Sequence, residues 1–186
     1  PDRGADYFAR CAGALWQEGA ASAPECSGND PDADAGAPLA VGDLDGDGVP
    51  EIVVPTEGNR FRILDNTGAQ IYRLPGSLSW SGGDNGETIA IANLDFEGFP
   101  ELVVGDTVYV LGRDADGALE VVRRLVGDGA NGSNDGFSRM ACPADLRSDL
   151  PGQEIVAGGT LYRLPDDLPA CDEPPCTDEP LETVWD

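Results

Sequence analysis

A short pattern returns three times along this chain, and few sequence features constrain a fold as tightly as an internal repeat. Ala40-Val41-Gly42-Asp43-Leu44 recurs as Ala90-Ile91-Ala92-Asn93-Leu94 and as Cys142-Pro143-Ala144-Asp145-Leu146, at steps of 50 and 52 residues. A β-branched run led by glutamate follows each copy: Glu51-Ile52-Val53-Val54, Glu101-Leu102-Val103-Val104 and Glu154-Ile155-Val156-Ala157. Third runs are Phe61 to Leu64, Val108 to Leu111 and Leu161 to Leu164; fourth runs are Gln70 to Leu74, Glu120 to Leu125 and Leu181 to Trp185. Asp65-Asn66-Thr67-Gly68 and Asp114-Ala115-Asp116-Gly117, between third and fourth runs, are hairpin-turn sequences. About fifty residues accommodate four short strands and their turns, so each copy is expected to be a four-stranded antiparallel meander in an all-β fold. The repeats divide the chain into residues 39–88, 89–140 and 141–186. Residues 1–38 read as the end of a preceding repeat, with Ala14-Leu15-Trp16-Gln17 as its last strand, followed by a polar loop carrying Asp30, Asp32 and Asp34. Pro1 reads as a cut or processed start rather than a translation start, which leaves open whether the chain is a fragment.

The turn joining the first two strands of the first repeat carries the chemistry. In the nine residues from Asp43 to Glu51, acids stand at positions 1, 3, 5 and 9 and glycines at 4 and 6. The glycines permit a backbone path on which carboxylates converge. Asp43, Asp45, Asp47, the Val49 carbonyl and a bidentate Glu51 would nearly fill the six-to-eight-oxygen shell of Ca2+. Mg2+ fits less well, because it demands strict octahedral geometry and keeps several waters. The run opens like an EF-hand loop, but its last acid comes at position 9 instead of 12 and a strand-forming run follows, not a helix. An ion-free Asp/Gly turn is the alternative; it would have to hold three aspartates together against their repulsion.

Composition narrows the remaining chemistry. The chain has 35 acidic residues against 11 basic ones, a net charge of −24, and every basic residue is arginine. Such a surface repels nucleic acid and anionic lipid and attracts divalent cations. Self-repulsion at this density couples folding to bound metal. The absence of histidine removes the usual general base, the His-containing triads and the His-containing zinc sites. The absence of lysine removes Schiff-base chemistry and the phosphate-loop lysine. No apolar run is long enough to cross a bilayer as a helix, and no signal-peptide pattern opens the chain, so a soluble protein without membrane insertion is expected. The five cysteines read as disulfides of an exported protein, with Cys171–Cys176 and Cys11–Cys26 as the expected pairs and Cys142 left as a buried free thiol or paired with Cys11, Cys26 or a cysteine outside this chain.

The repeats and the first loop resemble the FG-GAP/VCBS-type repeats of integrin-α-like β-propellers, whose blades carry a D-x-D-G-D-G-x-x-[DE] calcium loop between the first two strands. The resemblance covers roughly residues 39–186. It implies a blade architecture, calcium in the inter-strand loop and a role in extracellular adhesion or scaffolding. Carried over by position, it implies Asp43, Asp45, Asp47, Val49 and Glu51 as ligands in the first repeat. In the second it implies Asn93, Asp95, Glu97, the Phe99 carbonyl and Glu101. In the third, Asp145 and Asp149 survive, but Arg147 replaces the middle acid and one extra residue precedes Glu154. A guanidinium there substitutes for the cation's charge.

Three repeats and a fraction cannot close a ring that takes at least four blades. The chain is therefore either a segment of a larger propeller or part of an open array whose ends are covered by neighbouring repeats or other copies; copies joined head to tail without closure make a filament. The expected function is a calcium-binding extracellular structural or adhesive module, not an enzyme. Carbohydrate is the competing partner, with Trp80, Trp16 or Tyr72 as stacking surfaces, although aromatics in such strands more often sit in the core. A carboxylate-dependent polysaccharide-active enzyme is the remaining reading; among 35 acids some pair falls at catalytic separation by chance.

Overall fold

The computed structural model describes residues 38–56, 58–80, 88–128, 140–171 and 173–185. The strand expected at Ala14 to Gln17, the Cys11–Cys26 pairing, Trp16, the acids of the early loop and the inter-repeat segments 81–87 and 129–136 lie outside these residues.

The described residues form three sheets and no closed ring. The first is a meander of β1 (Ala40–Gly42), β2 (Glu51–Thr56), β3 (Arg60–Leu64) and β4 (Gln70–Arg73), every neighbour antiparallel. The second repeats it with β5 (Ile89–Ala92), β6 (Glu101–Val104), β7 (Thr107–Arg113) and β8 (Leu119–Val126). In the third, β9 (Ala141–Ala144), β10 (Glu154–Ala157) and β11 (Thr160–Arg163) follow in the same way. Before that sheet is completed the chain leaves it. Cys176–Pro180 forms β12, which lies parallel to β8 on the edge of the second sheet, and only then does β13 (Glu182–Trp185) return to pair with β11.

The second sheet therefore has five strands, one of them parallel, which corrects the expectation of four antiparallel strands in every repeat. The excursion is anchored by chemistry scattered along the sequence. The buried Arg123 guanidinium on β8 donates to Glu179 and to the Pro169 carbonyl, and Leu181 donates its N–H to Val126 O at 3.1 Å. Cys171 and Cys176 form the expected disulfide at the head of β12, and Cys142 is free and exposed.

The sheets stack in chain order, β1 beside β5 and β5 beside β9. The second strands of the first two sheets are buried along their whole length, β2 and β6 having apolar neighbours on both faces, which is why they read as continuous apolar runs and not as alternation. One core lies between the first two sheets, with Phe61 at its centre: Tyr109 meets it edge-on at 5.3 Å and Trp80 stacks at 6.4 Å. Tyr109 donates its hydroxyl to Leu78 O at 2.7 Å, so the one polar atom of this ring is satisfied inside the core. The other core, between the second and third sheets, gathers Leu94, Val103, Val108, Leu125, Ile155 and Tyr162.

A bulge lets β8 serve both cores. The register with β7 shifts so that Val110 faces Arg123 while Leu111 faces Val121, leaving Val122 as the extra residue. Val121 thus packs toward the first sheet with Leu111, and Leu125 toward the third with Val108. Gly112 makes the bulge possible, since a Cβ there would lie 2.6 Å from Val122 Cγ1.

Candidate metal centre

All three inter-strand loops are closed by the same clasp. Glutamate at the start of the second strand turns back and accepts the N–H of the leucine that follows the first strand: Glu51 from Leu44, Glu101 from Leu94 and Glu154 from Leu146, each at 2.8 Å. The three glutamates are buried. Burying a carboxylate costs several kcal/mol, of order, unless it is hydrogen-bonded or paired, and the clasp satisfies one oxygen of each glutamate.

In the first loop Arg113 pairs with Asp45 at 2.8 Å, and among the described residues no positive side chain pairs with Glu51 itself. Oxygens of Asp43, Asp45 and Glu51 all lie within 4.8 Å of one another. Asp43 caps the turn by accepting Gly46 N–H at 2.7 Å and Gly48 N–H at 2.9 Å, while Asp45 accepts Asp47 N–H at 3.2 Å. Gly46 and Gly48 hold φ of 76° and 85°, conformations that bring their amides onto Asp43 and that favour glycine. Burial pushes Glu51 above the ordinary carboxylate range, and the charges of Asp45, Asp47 and Asp43 push the same way against the Leu44 N–H. The donors are hard oxygens crowded by like charge, which is the chemistry a hard divalent cation satisfies. Asp47 accepts Val49 N–H at 2.7 Å and stands outside the close group, and Glu51 has one oxygen on Leu44.

The second loop follows the same backbone path with Phe96, at φ 63°, where the first has Gly46, and Gly98, at φ 58°, in place of Gly48. Asp95 accepts Glu97 N–H at 2.8 Å. Its acids are not gathered as the first loop's are; among the described residues only Asp43, Asp45 and Glu51 form such a group. Two features nevertheless suit a cation. Asn93 Oδ1 is buried without a hydrogen-bond partner, and burial, with the charge of Asp95, pushes Glu101 up to about 7 against the Leu94 N–H. Phe99 packs its ring on the first core.

In the third loop Arg147 forms a two-pronged bond with Asp149, Nε to Oδ1 at 2.8 Å and Nη2 to Oδ2 at 2.7 Å, and holds that carboxyl down at about 2. Asp145 is exposed, and Glu154 Oε2 also accepts Arg147 N–H at 3.0 Å. The lengthened turn carries a contact that spacing did not reveal. Gln153 N–H donates to Leu94 O at 2.6 Å, and Gln153 Nε2 to Asn93 O at 3.3 Å, so the third loop docks on the second. Trp80 is buried at 5 % exposure against Phe61, the core placement favoured over sugar stacking, and Tyr72 packs on the same core, with burial pushing its hydroxyl up to about 12.

Comparison with known proteins adds the following. Residues 43–104 match the family described as FG-GAP-like repeat. Among solved structures, the V. cholerae biofilm matrix protein Bap1 is similar at 31% identity and a TM-score of 0.45; the match covers 70% of this chain and 19% of that one. No curated protein matches the chain. No helix among the described residues is long and apolar enough to cross a membrane.

Proposed function

Residues 43–104 belong to the FG-GAP-like repeats, and from that premise we propose that the chain is a calcium-stabilised, non-catalytic structural module of an extracellular protein. The observation that carries the reading is the convergence of Asp43, Asp45 and Glu51 oxygens at the head of the first sheet, with Glu51 buried and destabilised as a carboxylate. Ca2+ held there by these oxygens, with Asp47 and the Val49 carbonyl nearby in sequence, supplies charge neutralisation and ties the turn to the strand. Asn93, Asp95, Glu97, Phe99 and Glu101 form the second, weaker site. The Cys171–Cys176 disulfide supports an oxidising, extracellular setting.

The stacking of β1, β5 and β9 side by side supports blades that continue into neighbouring repeats or copies, as an open array or filament. It equally suits a segment of a closed β-propeller, the second reading. Calorimetric titration with Ca2+ and with Mg2+, thermal melting with and without chelator, and electron microscopy of the same sample test the proposal. Tight calcium uptake with a raised melting temperature and filaments supports the array, and monodisperse rings support the propeller. No calcium uptake refutes the metal reading.

A further inference from the structure

We infer that the sheet following the first loop, and likewise the one following the second, sets that loop's affinity for a cation, and that Arg113 is the resident counter-charge of the first loop. The inference rests on the calcium reading of that loop. Arg113 ends β7 in the second sheet, yet its Nη2 donates to Asp45 Oδ2 of the first repeat at 2.8 Å, and its Nη1 donates to Gly117 O of its own hairpin at 2.7 Å. The guanidinium also lies over the Phe99 ring, 5.6 Å from its centroid, and a Cβ at Gly46 would lie 4.0 Å from Phe99 Cε1. One cation is thus fastened by its own turn, by an aromatic face and by a carboxylate of the preceding loop.

Repeat equivalence makes the assignment specific. Thr107-Val108-Tyr109 aligns with Thr160-Leu161-Tyr162, which puts Asp166 of the third repeat where Arg113 stands in the second. Asp166 lines a cavity of about 420 Å³ together with Asp95 and Glu97 of the second loop. The loop richest in acids therefore faces a positive neighbour, while the loop that begins with Asn93 faces an added negative one, itself partly satisfied by Arg163 at 2.6 Å. An ion entering the first loop meets Arg113 as a like charge on a shared carboxylate, so the guanidinium lowers calcium affinity and holds Asp45 when calcium is absent.

The test is a charge series at position 113, read by calcium titration calorimetry at low and high salt. Arg113→Lys is expected to bind calcium as the parent does. Arg113→Gln is expected to bind roughly threefold to tenfold more tightly at low ionic strength, Arg113→Asp more tightly still, and the differences shrink in high salt. Affinities that do not follow charge, or that fall in Arg113→Gln, overturn the inference while leaving the calcium reading intact. A parent chain that takes up no calcium overturns both.

Discussion

The glutamate at the start of β2 has two separable jobs, and substitutions at Glu51 pull them apart. Its Oε2 accepts the N–H of Leu44, a residue with no exposed surface, so Glu51→Ala strands a buried donor. That costs about 1–3 kcal/mol. At roughly 2–4 °C per kcal/mol for a chain of this size, melting in chelator should fall by about 2–12 °C. Glu51→Gln keeps an oxygen for Leu44 but removes a charge that burial and the charges of Asp45, Asp47 and Asp43 all oppose. In chelator it should melt at or above the parent. With calcium at a hundred times its dissociation constant the parent gains about 2.7 kcal/mol, roughly 5–10 °C, and Glu51→Gln should gain little of it. Differential scanning calorimetry of the three proteins, each with chelator and with calcium, reads all the terms. If Glu51→Gln is as unstable in chelator as Glu51→Ala, or keeps the full calcium increment, the division into clasp and ligand is wrong.

Gly152 holds φ of 85°, and a methyl group there would overlap the Leu94 carbonyl oxygen where the third loop docks on the second. Gly152→Ala should therefore lose about 2–4 kcal/mol in urea unfolding, and a parent-like midpoint would contradict the docking. Glu101 is raised to about 7 from 4.5, so its contribution to stability is fully present below about pH 4.5 and lost as pH rises through about 7. Melting in chelator should fall across that interval, and Glu101→Gln should flatten the fall; an unchanged profile in the variant would refute the assignment. The disulfide closes a span of five residues at the head of β12, and replacing both cysteines by serine should cost about 2 kcal/mol and expose residues 164–181 to proteases. Equal resistance to cleavage would show that Arg123 and Leu181 hold the excursion unaided.

Strand positions were legible because they rest on local pattern. Glu101 to Val104 and Glu154 to Ala157 are strands at those residues, and Phe61 to Leu64 and Val108 to Leu111 lie within β3 and β7. Asp65 and Asp114 form matching turns, each N–H donating at 2.9 Å to a carbonyl four residues on, as their Asp-x-x-Gly sequences predict. The Cys171–Cys176 bond was legible from proximity alone. The partners of Trp80 were not, because the core it joins gathers Phe61 and Tyr109 from two different sheets.

Within one repeat, then, the amino-acid order determined the strands, the turns and which oxygens crowd the first loop, because each depends on residues a few positions apart. Tertiary structure alone decided that Arg113 reaches Asp45 and that β12 leaves its own sheet for β8. Those contacts join groups up to 68 positions apart. No periodicity encodes them; they exist because stacked sheets bring charges and unpaired edges within hydrogen-bonding distance, and buried polar groups must find partners there.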